Sequence, residues 1–258
     1  MKSSFPSILL ILSAALFWLP AAHAAGADVS SQPAAAPLAL PQVVAGIVAR
    51  NQKQTKQLQG YTSQRWYSVT YSGFPKLHAE MRVEVRYTAP DKKVFTVVSH
   101  SGSKLLVDRI LLRLIRTEAD AQRDFHNSTL DNKNYNFSDL RFARAADGCS
   151  YSLSVTPKHP NPILYRGRLW INDKDFGVCR MEIAPSKNPS FWIRSTEIHQ
   201  ANEQVAGYWL PSVNQTTSQV RLGGVATLQI LCSDYRVVQP AASLHAPSAL
   251  VRHPECLH

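Results

Sequence analysis

Ser101-Gly102-Ser103-Lys104 is the one stretch of this chain whose residue types and spacing match a nucleophile motif, the S-x-x-K of acyl-serine enzymes. In that chemistry the serine opens a helix and carries the acyl group. The companion motifs S-D-N and K-T-G are missing from the chain. Ser103 is better explained as a helix N-cap, its hydroxyl accepting a backbone N–H. The sequence also lacks an H-E-x-x-H zinc helix, a G-x-S-x-G elbow and a phosphate-cradling glycine loop. His78, His100, His126, His159 and His199 are scattered without metal-ligand spacing, and no cysteine falls in a C-x-x-C. On these residues the chain is read as a non-enzyme, with neither metal nor cofactor.

What remains is apolar and aromatic. Tyr165 and Trp170 lie upstream of a segment running from Pro185 to Phe191 and Trp192, and Trp209 sits in Tyr208-Trp209-Leu210-Pro211. On a curved sheet such side chains line a greasy cavity with little polar chemistry, suited to acyl chains, or else they are plain core. A second group is denser. Between Ser103 and Asp124, Leu105, Leu106, Val107, Ile110, Leu111, Leu112, Leu114 and Ile115 leave only Asp108, Arg109, Arg113 and Arg116 polar in the first half. An apolar arc that wide predicts a helix covered on most sides, packed inside a curved sheet. Leu105, Leu106, Ile110 and Leu111 join Tyr165, Trp170, Phe191, Trp192 and Trp209 as candidate ligand contacts.

These residues need a scaffold, and the hydrophobic period supplies one. In Leu77 to Tyr87 every odd position is apolar and every even one polar, the pattern of a half-buried antiparallel strand. Ser63 to Tyr71 and Lys93 to Ser99 complete a meander, with turns at Gly73-Phe74-Pro75 and Pro90-Asp91. Strands are expected again over 137–143, 149–156, 163–171, 177–183, 191–199, 207–220 and 225–237. Asn172 to Asp175 and Gly223-Gly224 mark tight hairpins. Val43 to Leu58 has a helical period, with Gly60 as its stop. About ten strands and two helices predict one mainly β domain closing into a barrel or half-barrel.

The ends of the chain set its compartment. Lys2, the apolar run Ile8 to Leu19 and Ala22-His23-Ala24 form a secretory signal over residues 1–24. The run spans about 18 Å as a helix, too short for a bilayer core of about 30 Å. Residues 25–40, rich in Ala and Pro, read as a flexible leader, and 239–258 as a loose tail. The expectation is an exported, soluble protein that does not span a membrane. Its charge of +10 is then not read as nucleic-acid binding. Anionic membrane surfaces and acidic ligands remain as partners, beside solubility alone. In an oxidising space Cys149, Cys179, Cys232 and Cys256 can pair in three ways, and buried inert thiols are the competing reading for Cys179 and Cys232.

Tyr165-Arg166-Gly167-Arg168-Leu169-Trp170-Ile171, Asp175-Phe176, the Pro185 to Trp192 segment, Trp209-Leu210-Pro211, Arg221 to Gly224 and Thr227-Leu228 resemble a bacterial group of the outer-membrane lipoprotein-sorting (LolA/LolB-like) superfamily. The resemblance implies an unclosed antiparallel half-barrel of about ten strands over 41–238, with helices packed on its concave face. It also implies a periplasmic carrier whose cavity takes lipid or the acyl chains of lipoproteins. Such a carrier makes transient contact with membrane-bound donor and acceptor proteins. A key arginine holds the lid of such carriers shut; Arg65, Arg82 and Arg86 are candidates by strand position. Envelope-stress regulators using the same fold imply an alternative, a sensor domain that binds a membrane-protein partner.

Overall fold

Alternation in the 77–87 segment places its apolar side chains on one face, and the fold follows from that. In β2 (Leu77–Thr88) Ala79, Met81, Val83 and Val85 are at most 1% exposed, while Arg82 and Arg86 point to solvent. The computed structural model describes residues 37–73, 75–121, 129–161, 163–188, 190–221 and 223–238. Contacts divide the chain after residue 36, and all described residues fall in the second unit. The signal, most of the leader, the tail, His126, Cys256 and residues 122–124 of the expected second helix lie outside the described residues.

Nine further strands flank β2: β1 (Gly60–Tyr71), β3 (Lys92–Gly102), β4 (Tyr135–Phe142), β5 (Tyr151–Pro157), β6 (Tyr165–Ile171), β7 (Val178–Pro185), β8 (Ile193–Val205), β9 (Tyr208–Val220) and β10 (Val225–Val237). They form one ten-stranded sheet in the order β3-β2-β1-β10-β9-β8-β7-β6-β5-β4, and every described pair is antiparallel. Consecutive strands pair throughout, except that β1 joins β10 and the break falls between β3 and β4. The sheet is therefore unclosed, and it opens where the chain leaves to build helix between Gly102 and Tyr135. Gly223 and Gly224, both at positive φ, make the β9–β10 hairpin.

Both helical segments cover the same face of the sheet, which we call the inner face. The helix α1 (Leu40–Gln57) buries Val43 and Ile47 against Leu153, Leu169 and Ile171. The second segment is α2 (Lys104–Leu106), a π-helical turn (Val107–Leu111) and α3 (Leu112–Ala121). It buries Leu106, Val107, Leu111 and Ile115 against Ala79, Met81, Val83 and Val85. Leu105 and Ile110 face outward, 58% and 43% exposed, so the expected cover on most sides is corrected to one covered stripe. Ser103 takes the N-cap position, but its side chain makes no capping bond; its backbone N–H donates to the His78 carbonyl.

One carboxylate ties α1 to the strand ends. Asp175, in the β6–β7 turn, accepts hydrogen bonds from Arg50 Nε (3.3 Å), Gln204 Nε2 (3.2 Å) and Trp209 Nε1 (2.9 Å). Gln54 of α1 completes the tie: its amide donates to the Trp209 carbonyl at 3.0 Å, and its oxygen accepts from the Trp209 N–H at 3.1 Å. Cys149 and Cys179 form a disulfide, which corrects the buried-thiol reading for Cys179. Cys232 is a free thiol, half-buried, and burial raises its pKa. No helix among the described residues is long and apolar enough to cross a membrane.

Candidate functional site

Facing pairs in antiparallel strands share a face, so the register traces a row of side chains across the sheet. One inner row runs Leu153, Leu169, Met181, Gln200, Asn214, Ile230, Tyr67 and Met81, from β5 to β2. The next runs Val155, Gly167, Ile183, Ile198, Thr216, Leu228, Val69 and Ala79. Each row is apolar at both ends, where α1 and the α2–α3 segment sit; in the middle the first is polar on β8 and β9 (Gln200, Asn214), while the second is polar on β9 alone (Thr216), beside Ile198 of β8. Gln200, Asn202, Asn214 and Thr216 there are half-buried and bonded in a chain. The Gln200 amide donates to Asn202 Oδ1 (2.8 Å), the Asn214 amide to Gln200 Oε1 (3.3 Å) and the Thr216 hydroxyl to Asn214 Oδ1 (3.0 Å). Thr196 and Ser218 pair at 2.9 Å further along the same two strands.

The nine residues singled out from sequence divide. Leu106 and Leu111 lie in the helix–sheet core, at 7% and 0% exposure, whereas Leu105 and Ile110 do not. Tyr165 shares the inner face with Gly167 and Leu169, and burial raises the pKa of its phenol. Trp170 pairs with Ser152 and Arg180 on the outer face, its ring under the Arg180 guanidinium at 4.5 Å. Phe191 and Trp192 sit at the sheet end, 73% and 54% exposed, packed edge to face with centroids 5.5 Å apart. Trp209 belongs to the Asp175 tie. The residues described as lining two surface hollows, of about 630 and 650 Å³, include none of the nine.

Of the three arginines proposed for the lid, Arg65 alone meets the helical segment, while Arg82 and Arg86 face outward. Arg65, 6% exposed, donates from Nη1 to both oxygens of Glu118 on α3 (3.0 and 2.9 Å) and to the Tyr67 hydroxyl (3.3 Å). Lys93 of β3 reaches the same carboxylate. Burial works to raise the Glu118 pKa, but Lys93 and Arg65 outweigh it and hold the carboxyl below its ordinary value. The Tyr67 phenol is pushed up to about 12, mainly by burial. Arg65 Nε and Ser63 Oγ are buried without a hydrogen-bond partner among the described residues. Glu118 escaped the sequence reading because one acid near the end of an apolar helix has no periodic signature. The polar middle of the sheet did carry a signal: Asn214 to Gln219 is polar on both faces within an otherwise apolar strand region.

A ten-stranded antiparallel sheet, unclosed between its β3 and β4 edges and covered by helices on one face, is a mainly β half-barrel architecture. No family model matches the chain, and no curated protein does. Solved structures similar to it include a DUF1329 family protein from Desulfovibrio piger (14% identity, 76% of this chain and 92% of that one, TM-score 0.38). A LolA superfamily protein from Nitrosomonas europaea is similar at 11% identity, over 76% of this chain and 94% of that one, with TM-score 0.37. A domain described as an outer-membrane lipoprotein-sorting protein, from Vibrio parahaemolyticus, is similar at 9% identity over 76% and 93%, TM-score 0.37. At these scores the fold assignment rests on the strand order itself.

Proposed function

We propose that the protein is an exported carrier that binds a hydrophobic ligand, an acyl-chain lipid or the acyl chains of a lipoprotein, on the inner face of its sheet. The observation that carries this reading is the α2–α3 segment. It lies over the apolar face of β1 and β2 beside the open β3 edge, joined to β3 through Ser103 alone and separated from β4 by the 13 residues 122–134. A segment so attached can lift from β1 and β2 without breaking the meander, uncovering Met81, Val83 and Val85 together with its own Leu106 and Leu111. The Arg65–Glu118–Lys93 cluster fastens that segment, and the unpartnered Arg65 Nε adds a buried donor beside the same space. Tyr165, on the other half of the inner face, extends the contact surface. Residues 1–24 place the protein outside the cytoplasm on this reading, with membrane-bound donors and acceptors as transient partners. Mass spectrometry of organic extracts of the protein purified from its native compartment tests it. Co-purified acyl lipid is expected; none, together with no binding of a diacylated peptide in solution, rejects the carrier.

A further inference from the structure

We infer that the centre of the inner face is a head-group site selecting lipids whose polar part is uncharged and rich in hydroxyl or amide groups. The proposal rests on the carrier reading and adds the class of ligand. The two inner rows place Gln200, Asn214 and Thr216 between two apolar halves of the sheet, Met181 and Ile183 on one side, Ile230 and Leu228 on the other. A ligand lying across these rows meets hydrocarbon surface, then hydrogen-bonding groups, then hydrocarbon surface again. That order fits a lipid whose polar linkage sits between apolar arms.

The chemistry of the polar stretch decides what kind of head it takes. Each side-chain amide has two N–H donors and an acceptor oxygen with two lone pairs. Gln200 and Asn214 each spend one N–H within the Gln200–Asn202–Asn214–Thr216 chain, leaving the second for a ligand. Asn202 spends one on the Val178 carbonyl at 2.8 Å, which fixes the chain to β7. No Lys, Arg, Asp or Glu stands in these two rows. The inner-face cation nearest in register, Arg65, is engaged by Glu118. A phosphate would therefore enter a half-buried site without a cation to pair it, which is costly, while a sugar or polyol hydroxyl would find donors and acceptors together. An unserved polar strip is also a poor floor for a purely apolar ligand, because it must desolvate without replacement bonds.

The test compares three lipids of identical short acyl chains, galactosyl diacylglycerol, diacylglycerol and phosphatidylglycerol, by calorimetric titration of the full mature chain below their critical micelle concentrations. The galactosyl lipid is expected to bind about tenfold more tightly than either, the worth of roughly two hydrogen bonds to half-buried amides. Thr216→Val, nearly isosteric, and Asn214→Leu should each lower only the galactosyl affinity, by roughly three- to tenfold. Thermal melting checks that both variants fold, and Thr216→Val keeps the test valid if Asn214→Leu does not. Equal affinity for all three lipids, tighter binding of phosphatidylglycerol, or no change in either variant overturns the head-group site and leaves the carrier standing. Failure of all three lipids to bind overturns both.

Discussion

Replacing Glu118 by Ala should loosen the α2–α3 segment more than any surface change of similar size. The arginine it leaves behind is 6% exposed and already has one buried N–H with no partner among the described residues. Removing one member of a buried pair leaves an uncompensated charge, at a cost of about 3–5 kcal/mol. Glu118's side chain is 29% exposed, so solvent takes over part of its role and the lower end, about 3 kcal/mol, applies here. For a domain of this size that is a fall of about 6–12 °C in Tm. The double variant Arg65→Met with Glu118→Leu removes both charges and should recover most of the loss, since a packed apolar pair replaces a desolvated ionic one. Differential scanning calorimetry of the wild type, both single variants and the double variant decides it. A Tm change under about 2 °C in Glu118→Ala, or a double variant as unstable as the worse single one, would refute the idea that this cluster fastens the segment.

Further outcomes follow from the same geometry. Because the Glu118 carboxyl is held below its ordinary value, its contribution is fully present above about pH 4.5 and is lost as pH falls through its folded value. Chemical denaturation from pH 7 to pH 3 should show the wild type losing more stability than Glu118→Gln. Leu111→Ala, at a fully buried site, should cost about 3 kcal/mol, whereas Leu105→Asn and Ile110→Asn should each stay within about 0.5 kcal/mol in the same melts. Replacing Cys149 and Cys179 by Ser opens a loop closed across 30 residues and should cost about 3–4 kcal/mol, read as a lower urea midpoint that reductant no longer shifts. Gly177→Ala would set a Cβ 1.9 Å from Trp209 Nε1, so it should break the Asp175 tie and change tryptophan emission even where the protein stays folded.

Much of the sheet was legible because β-strand burial is written with a period of two. The 225–237 strand has the limits its pattern suggests, and the glycine pair before it forms the hairpin it implies. Helix α1 and the β1–β3 meander are equally local, each specified by neighbours along the chain. The placement of side chains on the two faces was less accessible. Trp170 reads as a cavity residue by composition, yet strand parity relative to Leu169 puts it outside, and parity is settled by which residue of β7 it faces. The helical segment shows the limit most plainly. Its apolar arc looks continuous on an α-period, but the π-turn inserts a longer step that aligns Leu106 with Leu111 and turns Leu105 and Ile110 to solvent. That geometry depends on packing against Met81 and Val83. The meeting of Arg65 with Glu118, 53 residues away, and of Gln200 with Asn214 across a hairpin, likewise exists only once strand order and register bring distant residues onto one face.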